Sequence, residues 1–260
     1  LDSESLELKR SLAGHSLGVI CLDWSANGAH LASGGQDGRA KIWDVQSGEM
    51  LVDLEGGAAW VEHVLFSPEK DREMVRLVIA SGKHLRVVDL NGKAIQDFES
   101  HPHTVMGIAW RGSGERLSSV CYGGLRIWDV ASSAPKRVFA WKGSPVSYSL
   151  SPDGKWASSG CQDNSVHVWR MSSGEDLEMS GYPTKVKEVA WSTDGRLLAT
   201  SGGAEITAWD FSGKGPAGSK PIVRPGHVEL IAQMAFRPQE GSSILASLGQ
   251  EGALFFWDLK

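Results

Sequence analysis

One dipeptide, Trp-Asp, returns along this chain at nearly even steps, and that return limits what the chain can fold into more than any other feature. It stands at Trp43-Asp44, Trp128-Asp129, Trp209-Asp210 and Trp257-Asp258, with variants Val88-Asp89 and Trp169-Arg170. The steps between first members are 45, 40, 41, 40 and 48 residues. That period is longer than most helical repeats and suits a unit of four short strands. The stretch ending at the first Trp-Asp shows how the unit is built. An alternating run from Val19 to Trp24 leads to a turn signal at Asn27-Gly28. Residues 31–35 then lead to a second turn at Asp37-Gly38, and 40–44 follow. Short alternating runs between Gly-type turns predict strands. One such sheet cannot bury both of its faces, whereas stacked copies can.

Other offsets repeat with the dipeptide. His15 stands four residues before Val19, and the same step separates His101 from Val105 and His227 from Ile231. Ser33, Asp37 and Trp43 return as Ser159, Asp163 and Trp169, and as Ser247, Glu251 and Trp257. On these residues the chain resembles the WD-repeat family over nearly its whole length. The resemblance implies an all-β fold, a WD-repeat β-propeller of four-stranded antiparallel blades with six repeats readable. A single domain, 1–260, would hold repeats at approximately 13–54, 55–98, 99–140, 141–180, 181–224 and 225–260. The last of these lacks an outer strand. Segment 6–12 alternates like a strand but has no repeat before it. The expectation is that it serves as that outer strand, pairs antiparallel with 253–259 and closes a six-bladed ring. A chain trimmed from a longer one would instead belong to a ring of seven or eight blades. The first residue is not Met, which leaves room for a removed leader or an upstream region.

Composition narrows the function. The net charge is −5 with no dense Lys/Arg cluster, which argues against a nucleic-acid or anionic-membrane partner. No run is apolar and long enough to span a membrane as a helix. Cys21, Cys121 and Cys161 fall in predicted strands of different repeats and form no Cys-x-x-Cys pair. They indicate neither a disulfide framework nor a zinc ribbon. The cytoplasm, or another soluble reducing compartment, is the expected location.

The recurring His, Ser and Asp are the residue types of a hydrolytic triad. They recur with Trp attached, however, and an active site is needed once. In the WD-repeat family this set is a buried hydrogen-bond network. The resemblance therefore implies structural roles for His15, Ser33, Asp37 and Trp43, and for His227, Ser247, Glu251 and Trp257. Ser159, Asp163 and Trp169 form a partial set, with Lys142 where the His belongs. The second repeat has Val88 for Trp and no turn acid. Other chemistry is weakly signalled. The Gly-rich 212–220 lacks the order of a phosphate-binding loop. His101-Pro102-His103 offers two imidazoles without an evident third ligand. No catalytic residue, metal or cofactor is expected.

The resemblance also implies where a partner would dock. In WD propellers the narrow face carries the loops entering the first strand of each blade and the turns between its second and third strands. Trp60, Thr104, Lys185 and Leu230 sit at the first kind of place here. Gln36, Gln162 and Gln250 precede the turn acids, and Tyr122 and Tyr182 lie in neighbouring loops. The expected function is a non-enzymatic protein–protein interaction scaffold binding a protein or peptide on that face. Segments 57–63, 173–183 and 209–216 are similar to a group of WD-repeat proteins of bacteria and plant plastids, some encoded near metallochaperone GTPases. That likeness implies an alternative role, as an accessory in metal handling that binds a metal or small ligand.

Overall fold

The computed structural model describes residues 8–71, 73–213 and 215–260. The chain divides into two compact units, Leu1–Ala140 and Trp141–Lys260. Among the described residues every regular element is a strand. In the first unit, β1 (Val19–Trp24), β2 (His30–Gly35), β3 (Arg39–Asp44) and β4 (Met50–Glu55) form one antiparallel meander. β5 (Val61–Phe66), β6 (Arg76–Ser81), β7 (His84–Asp89) and β8 (Ala94–Asp97) form the next. The third meander contains β9 (Val105–Arg111), β10 (Arg116–Cys121), β11 (Gly123–Asp129) and β12 (Arg137–Trp141).

The second unit repeats the plan. β13 (Ser149–Leu150), β14 (Trp156–Gly160), β15 (Val166–Arg170) and β16 (Asp176–Met179) form the fourth sheet. β17 (Val189–Trp191), β18 (Leu197–Thr200), β19 (Glu205–Asp210) and β20 (Ile222–Pro225) form the fifth. The sixth contains three strands among the described residues, β21 (Ile231–Phe236), β22 (Ile244–Gly249) and β23 (Leu254–Asp258). The expected closing strand, 6–12, begins outside the described residues, and 8–12 belong to no strand. The first strands of the fourth and fifth sheets are shorter than the runs 146–150 and 186–191 that the sequence offers.

A recurring serine lock sets the first hairpin of a sheet. Ser25 Oγ donates to Asn27 Oδ1 at 2.8 Å and accepts the His30 N–H at 2.9 Å. Ser151 does the same with Asp153 and Trp156 at 2.7 and 2.9 Å, and Ser192 with Asp194 and Leu197 at 2.6 and 2.9 Å. The next residue must adopt positive φ, and it is glycine each time: Gly28, Gly154 and Gly195, at 71°, 68° and 70°. In the second sheet the connector is longer. Ser67 Oγ still accepts the Arg76 N–H at 3.0 Å, at the base of that connector.

Packing is face to face between neighbouring sheets. Ala32, Ala40 and Ile42 of the first sheet meet Val61, Val64, Phe66, Leu77 and Ile79 of the second. The opposite face of the second sheet, with Val78, Leu85 and Val87, meets Val105, Leu117 and Trp128 of the third. In the second unit Val166 and Val168 pack on Val186, Trp191 and Leu198. Ala199, Ile206 and Ala208 pack on Ile231 and Leu245. Middle strands are therefore buried on both faces, so β14 and β2 carry small residues where alternation would otherwise put polar ones. Among the described residues, Leu22 and Trp24 on β1 are 59% and 57% exposed, and Phe256 on β23 is 69% exposed.

Small residues let these sheets approach closely. A Cβ at Gly34 would come 2.6 Å from Val61 Cγ1, and one at Gly160 would overlap the Val186 carbonyl oxygen. The second contact is against backbone and cannot be relieved by a rotamer change. Gly160→Ala is therefore expected to destabilise by about 1–3 kcal/mol, the usual cost of overpacking. Urea melts of wild type and variant check it, and an unchanged midpoint would show that the sheets can part at no cost.

Candidate functional site

The network begins at a buried hydroxyl. Ser33 on β2 is 3% exposed and faces Lys41 on β3 in register. Its Oγ accepts the Trp43 Nε1–H at 2.9 Å and lies 2.8 Å from His15 Nε2. His15 Nδ1 lies 2.9 Å from Asp37 Oδ1. The carboxylate can only accept, so Nδ1 carries the imidazole proton and Nε2 accepts the Ser33 hydroxyl proton. Every proton then has one destination: indole to serine, serine to histidine, histidine to aspartate. Burial would raise the Asp37 carboxyl. The His15 hydrogen bond and the N–H groups of Ser16 and Arg39 outweigh it and hold Asp37 below the usual carboxylate range.

The sixth sheet repeats the set. Ser247 accepts the Trp257 Nε1–H at 2.7 Å and lies 2.7 Å from His227 Nε2, while His227 Nδ1 pairs with Glu251. The His227 hydrogen bond holds the Glu251 carboxyl low. The third sheet carries a set that the sequence reading did not assemble. Ser119 accepts the Trp128 Nε1–H at 2.8 Å and lies 2.7 Å from His101 Nε2. No turn acid is available, so His101 Nδ1 donates to the Lys83 carbonyl of the second sheet at 3.2 Å. The signal was present in the sequence: His101 precedes Ser119 by 18 residues, as His15 precedes Ser33.

The fifth sheet replaces the imidazole with a phenol. Trp209 Nε1–H donates to Tyr182 Oη at 2.9 Å, Tyr182 Oη lies 2.8 Å from Thr200 Oγ1, and Thr200 donates to the Thr207 carbonyl at 3.0 Å. This corrects the expectation for Tyr182, which belongs to the interior network and not to the exposed loops. Burial raises its phenol pKa. The fourth sheet corrects a second expectation, because Ser159, Asp163 and Trp169 form no connected set. With Lys142 exposed in place of a histidine, the Ser159 hydroxyl turns to the Ser147 carbonyl at 2.8 Å. Asp163 accepts from Ser165 at 2.7 Å. Trp169 packs instead edge-on against Trp141, which stacks on His167 with ring centroids 4.4 Å apart.

The other loop residues are placed as follows. In the first unit Trp60 is 53% and Tyr122 43% exposed, Gln36 is exposed and Thr104 is half-buried. His103 meets the Tyr122 ring edge-on at 4.9 Å. In the second unit Gln162, Lys185 and Gln250 are exposed and Leu230 is half-buried. Lys185 and Leu230 line one cavity of about 260 Å3 with Ser201 and Gly202. The three glutamines share a backbone role: the N–H groups of Gln36, Gln162 and Gln250 donate to the carbonyls of Gly18, Ser144 and Leu230. Each thus ties the turn between the second and third strands to the loop entering the first.

The sequence pattern described as WD domain, G-beta repeat, matches residues 6–44, 92–129 and 135–170. The chain carries WD repeats. Its sheets are the antiparallel blades of the WD-repeat β-propeller class; indole–hydroxyl–imidazole sets latch three of them and a phenol variant latches a fourth. Relatives include the cell division cycle 20.1 cofactor of the APC complex from Arabidopsis thaliana, 26% identical over 93% of this chain and 54% of its own length. The WD repeat-containing protein slp1 of Schizosaccharomyces pombe is 26% identical over 92% of this chain and 49% of its own length. The anaphase-promoting complex subunit cdh1 of Dictyostelium discoideum is 25% identical over 93% and 36%. The WD-repeat chain thus spans between about a third and just over half of the relatives' lengths. No group of three or more His, Cys, Asp or Glu able to hold a metal occurs among the described residues. No helix long and apolar enough to cross a membrane occurs among the described residues.

Two outcomes test the latches. Trp43→Phe removes the donor to Ser33 and is expected to cost about 1–3 kcal/mol in a denaturant melt, the usual penalty for an orphaned buried polar group. An unchanged midpoint would refute the network. The second concerns His101, which burial and the nearby Arg126 guanidinium push from 6.5 down to about 4. The folded state keeps this imidazole neutral, while the unfolded chain protonates it below about pH 6.5. Its contribution is complete above that pH, falls as pH drops towards 4 and changes no further below. The loss is on the order of 3 kcal/mol. Burial also lowers His63 and His167 and acts in the same direction. Urea melts at pH 7 and pH 4.5 should therefore show a smaller difference for His101→Gln than for wild type.

Proposed function

We propose that this chain is a non-enzymatic scaffold that binds a protein or peptide partner through the loops at the latch end of its WD repeats. The observation that carries the reading is Trp60, a large aromatic held 53% exposed in the loop between β4 and β5. Interfaces concentrate their energy in such anchors, surrounded by a polar rim. Gln36 and Tyr122 flank the same end of the first unit; Gln162, Lys185, Leu230 and Gln250 stand at the corresponding end of the second unit's sheets.

The case against catalysis is chemical. A hydrolytic serine needs an accessible hydroxyl and an imidazole free to exchange protons with substrate. Ser33, Ser119 and Ser247 are buried, and each already accepts an indole N–H. The thiols offer no alternative nucleophile: burial pushes Cys21 and Cys161 up to about 11. All three cysteines are free, which suits a reducing compartment.

The relatives support an adaptor role, since their names describe cofactors or subunits of the anaphase-promoting complex. Segments 57–63, 173–183 and 209–216 support a finer kinship with WD-repeat proteins of bacteria and plant plastids. Affinity capture from the native source with mass spectrometry identifies the partner, and titration then tests the face. Trp60→Ala is expected to weaken binding by about 2 kcal/mol or more while leaving the melting temperature nearly unchanged. Unaltered affinity, or loss of folding in place of binding, would overturn the assignment.

A further inference from the structure

A basic side chain recurs at one register position within four of the sheets. Lys41, Arg86, Arg126 and His167 each stand opposite the latch position of the preceding strand, namely Ser33, Ile79, Ser119 and Ser159. Three of them have partners. Lys41 Nζ lies 2.6 Å from Asp53, Arg126 Nη1 3.1 Å from Cys121 Sγ and His167 Nε2 3.2 Å from Asp176. Arg86 has no carboxylate or thiol in contact: its Nε and Nη2 are buried and, like the ring nitrogens of His167, have no hydrogen-bond partner among the described residues. Asp97 faces Arg86 in register, as Asp53 faces Lys41, yet no ion pair joins them.

The second sheet has also lost the residues of the latch itself. Gly57 stands four residues before Val61, where the first sheet has His15 before Val19. Ile79 and Val88 replace the serine and the tryptophan. A cavity of about 400 Å3 lies there, lined by Gly57, Ile79, Leu85, Arg86 and Phe98 together with the polar side chains of His84 and Asp97. Nε and Nη2 share one edge of the guanidinium plane, and that edge matches the two oxygens of a carboxylate. A buried guanidinium with its fork unmet is costly unless something meets it. The apolar lining suits a carbon body behind the acid.

We propose that this cavity binds a carboxylate, held two-pronged by Arg86 Nε and Nη2 with its apolar stem against Ile79, Leu85 and Phe98. A free small acid and the side chain of an acidic residue in a peptide share that chemistry. The site is separate from the protein-binding reading, and its failure would leave that reading untouched.

The test is NMR titration of the full chain, following the Arg86 Nε–H resonance. One probe is sodium benzoate, and the other is an acetylated, amidated Ala-Glu-Ala peptide whose sole carboxylate is on its side chain. Ionic strength is held constant with sodium chloride. A saturable shift is expected, with affinity reduced at least about tenfold in Arg86→Gln when followed through the Leu85 methyls. Asp97→Asn, which removes a competing negative charge, should tighten binding severalfold. Stronger binding of the peptide would assign the acid to a protein side chain, and stronger binding of benzoate to a free small molecule. A resonance that responds to neither probe beyond the chloride control overturns the proposal, as does undiminished binding in a folded Arg86→Gln.

Discussion

The hydroxyl of Ser33 is the point on which the first blade turns. It accepts a hydrogen bond from Trp43 Nε1–H and donates one to His15, joining the third strand to a loop that precedes the first. None of these strands is long, and ladder hydrogen bonds alone would let their ends fray. A buried chain of donors and acceptors with no free terminus gives the edge of the sheet a fixed place, because breaking any link strands a polar group away from water. The same logic explains why the members can change chemistry. Tyr182 stands at the histidine position of the fifth sheet but accepts the indole N–H itself, as serine does elsewhere, and donates its own O–H to Thr200. The Lys83 carbonyl replaces an aspartate in the third because the imidazole needs only an acceptor.

The consequence for neighbouring positions is electrostatic. A hydroxyl next to a buried ammonium or guanidinium is tolerable only where the charge is answered. Lys41 is answered by Asp53, itself held low by Lys41 and Arg39 against the upward pull of burial. Where the latch is lost, its cation remains. The second sheet keeps Arg86 but not the serine and tryptophan that accompany Lys41 and Arg126, and it combines a cavity with an unmet fork.

The strand order of each sheet was legible because the turns carry their own chemistry. Asn27-Gly28 and Asp37-Gly38 announce reversals, and the alternation between them gives the strand faces. The latches of the first and sixth sheets were legible for the same reason: His, Ser, acid and Trp stand at fixed offsets. Ser119 and Trp128 have no turn acid to mark their latch, and the backbone carbonyl that takes its place leaves no trace in a sequence. Tyr182 was assigned to the surface because nothing in a Gly-Tyr-Pro loop tells whether the ring points in. Ser159 and Trp169 were over-read, since residue type alone does not say that a hydroxyl will prefer the Ser147 carbonyl. The recurring basic position depends on strand register and emerges only when Lys41, Arg86, Arg126 and His167 are seen to occupy the same place.

The serine lock has a use that follows from its position at the base of the hairpin. Ser67 closes the second sheet's first connector as Ser25, Ser151 and Ser192 close theirs, although that connector runs on to Arg76. Chain added beyond the lock does not enter the ladder, so strand register is indifferent to its length. The 67–75 connector is thus a natural port for grafting. An epitope or a fluorescent reporter spliced there would lie at the end of the blade opposite Trp60, leaving the aromatic end free for whatever it meets.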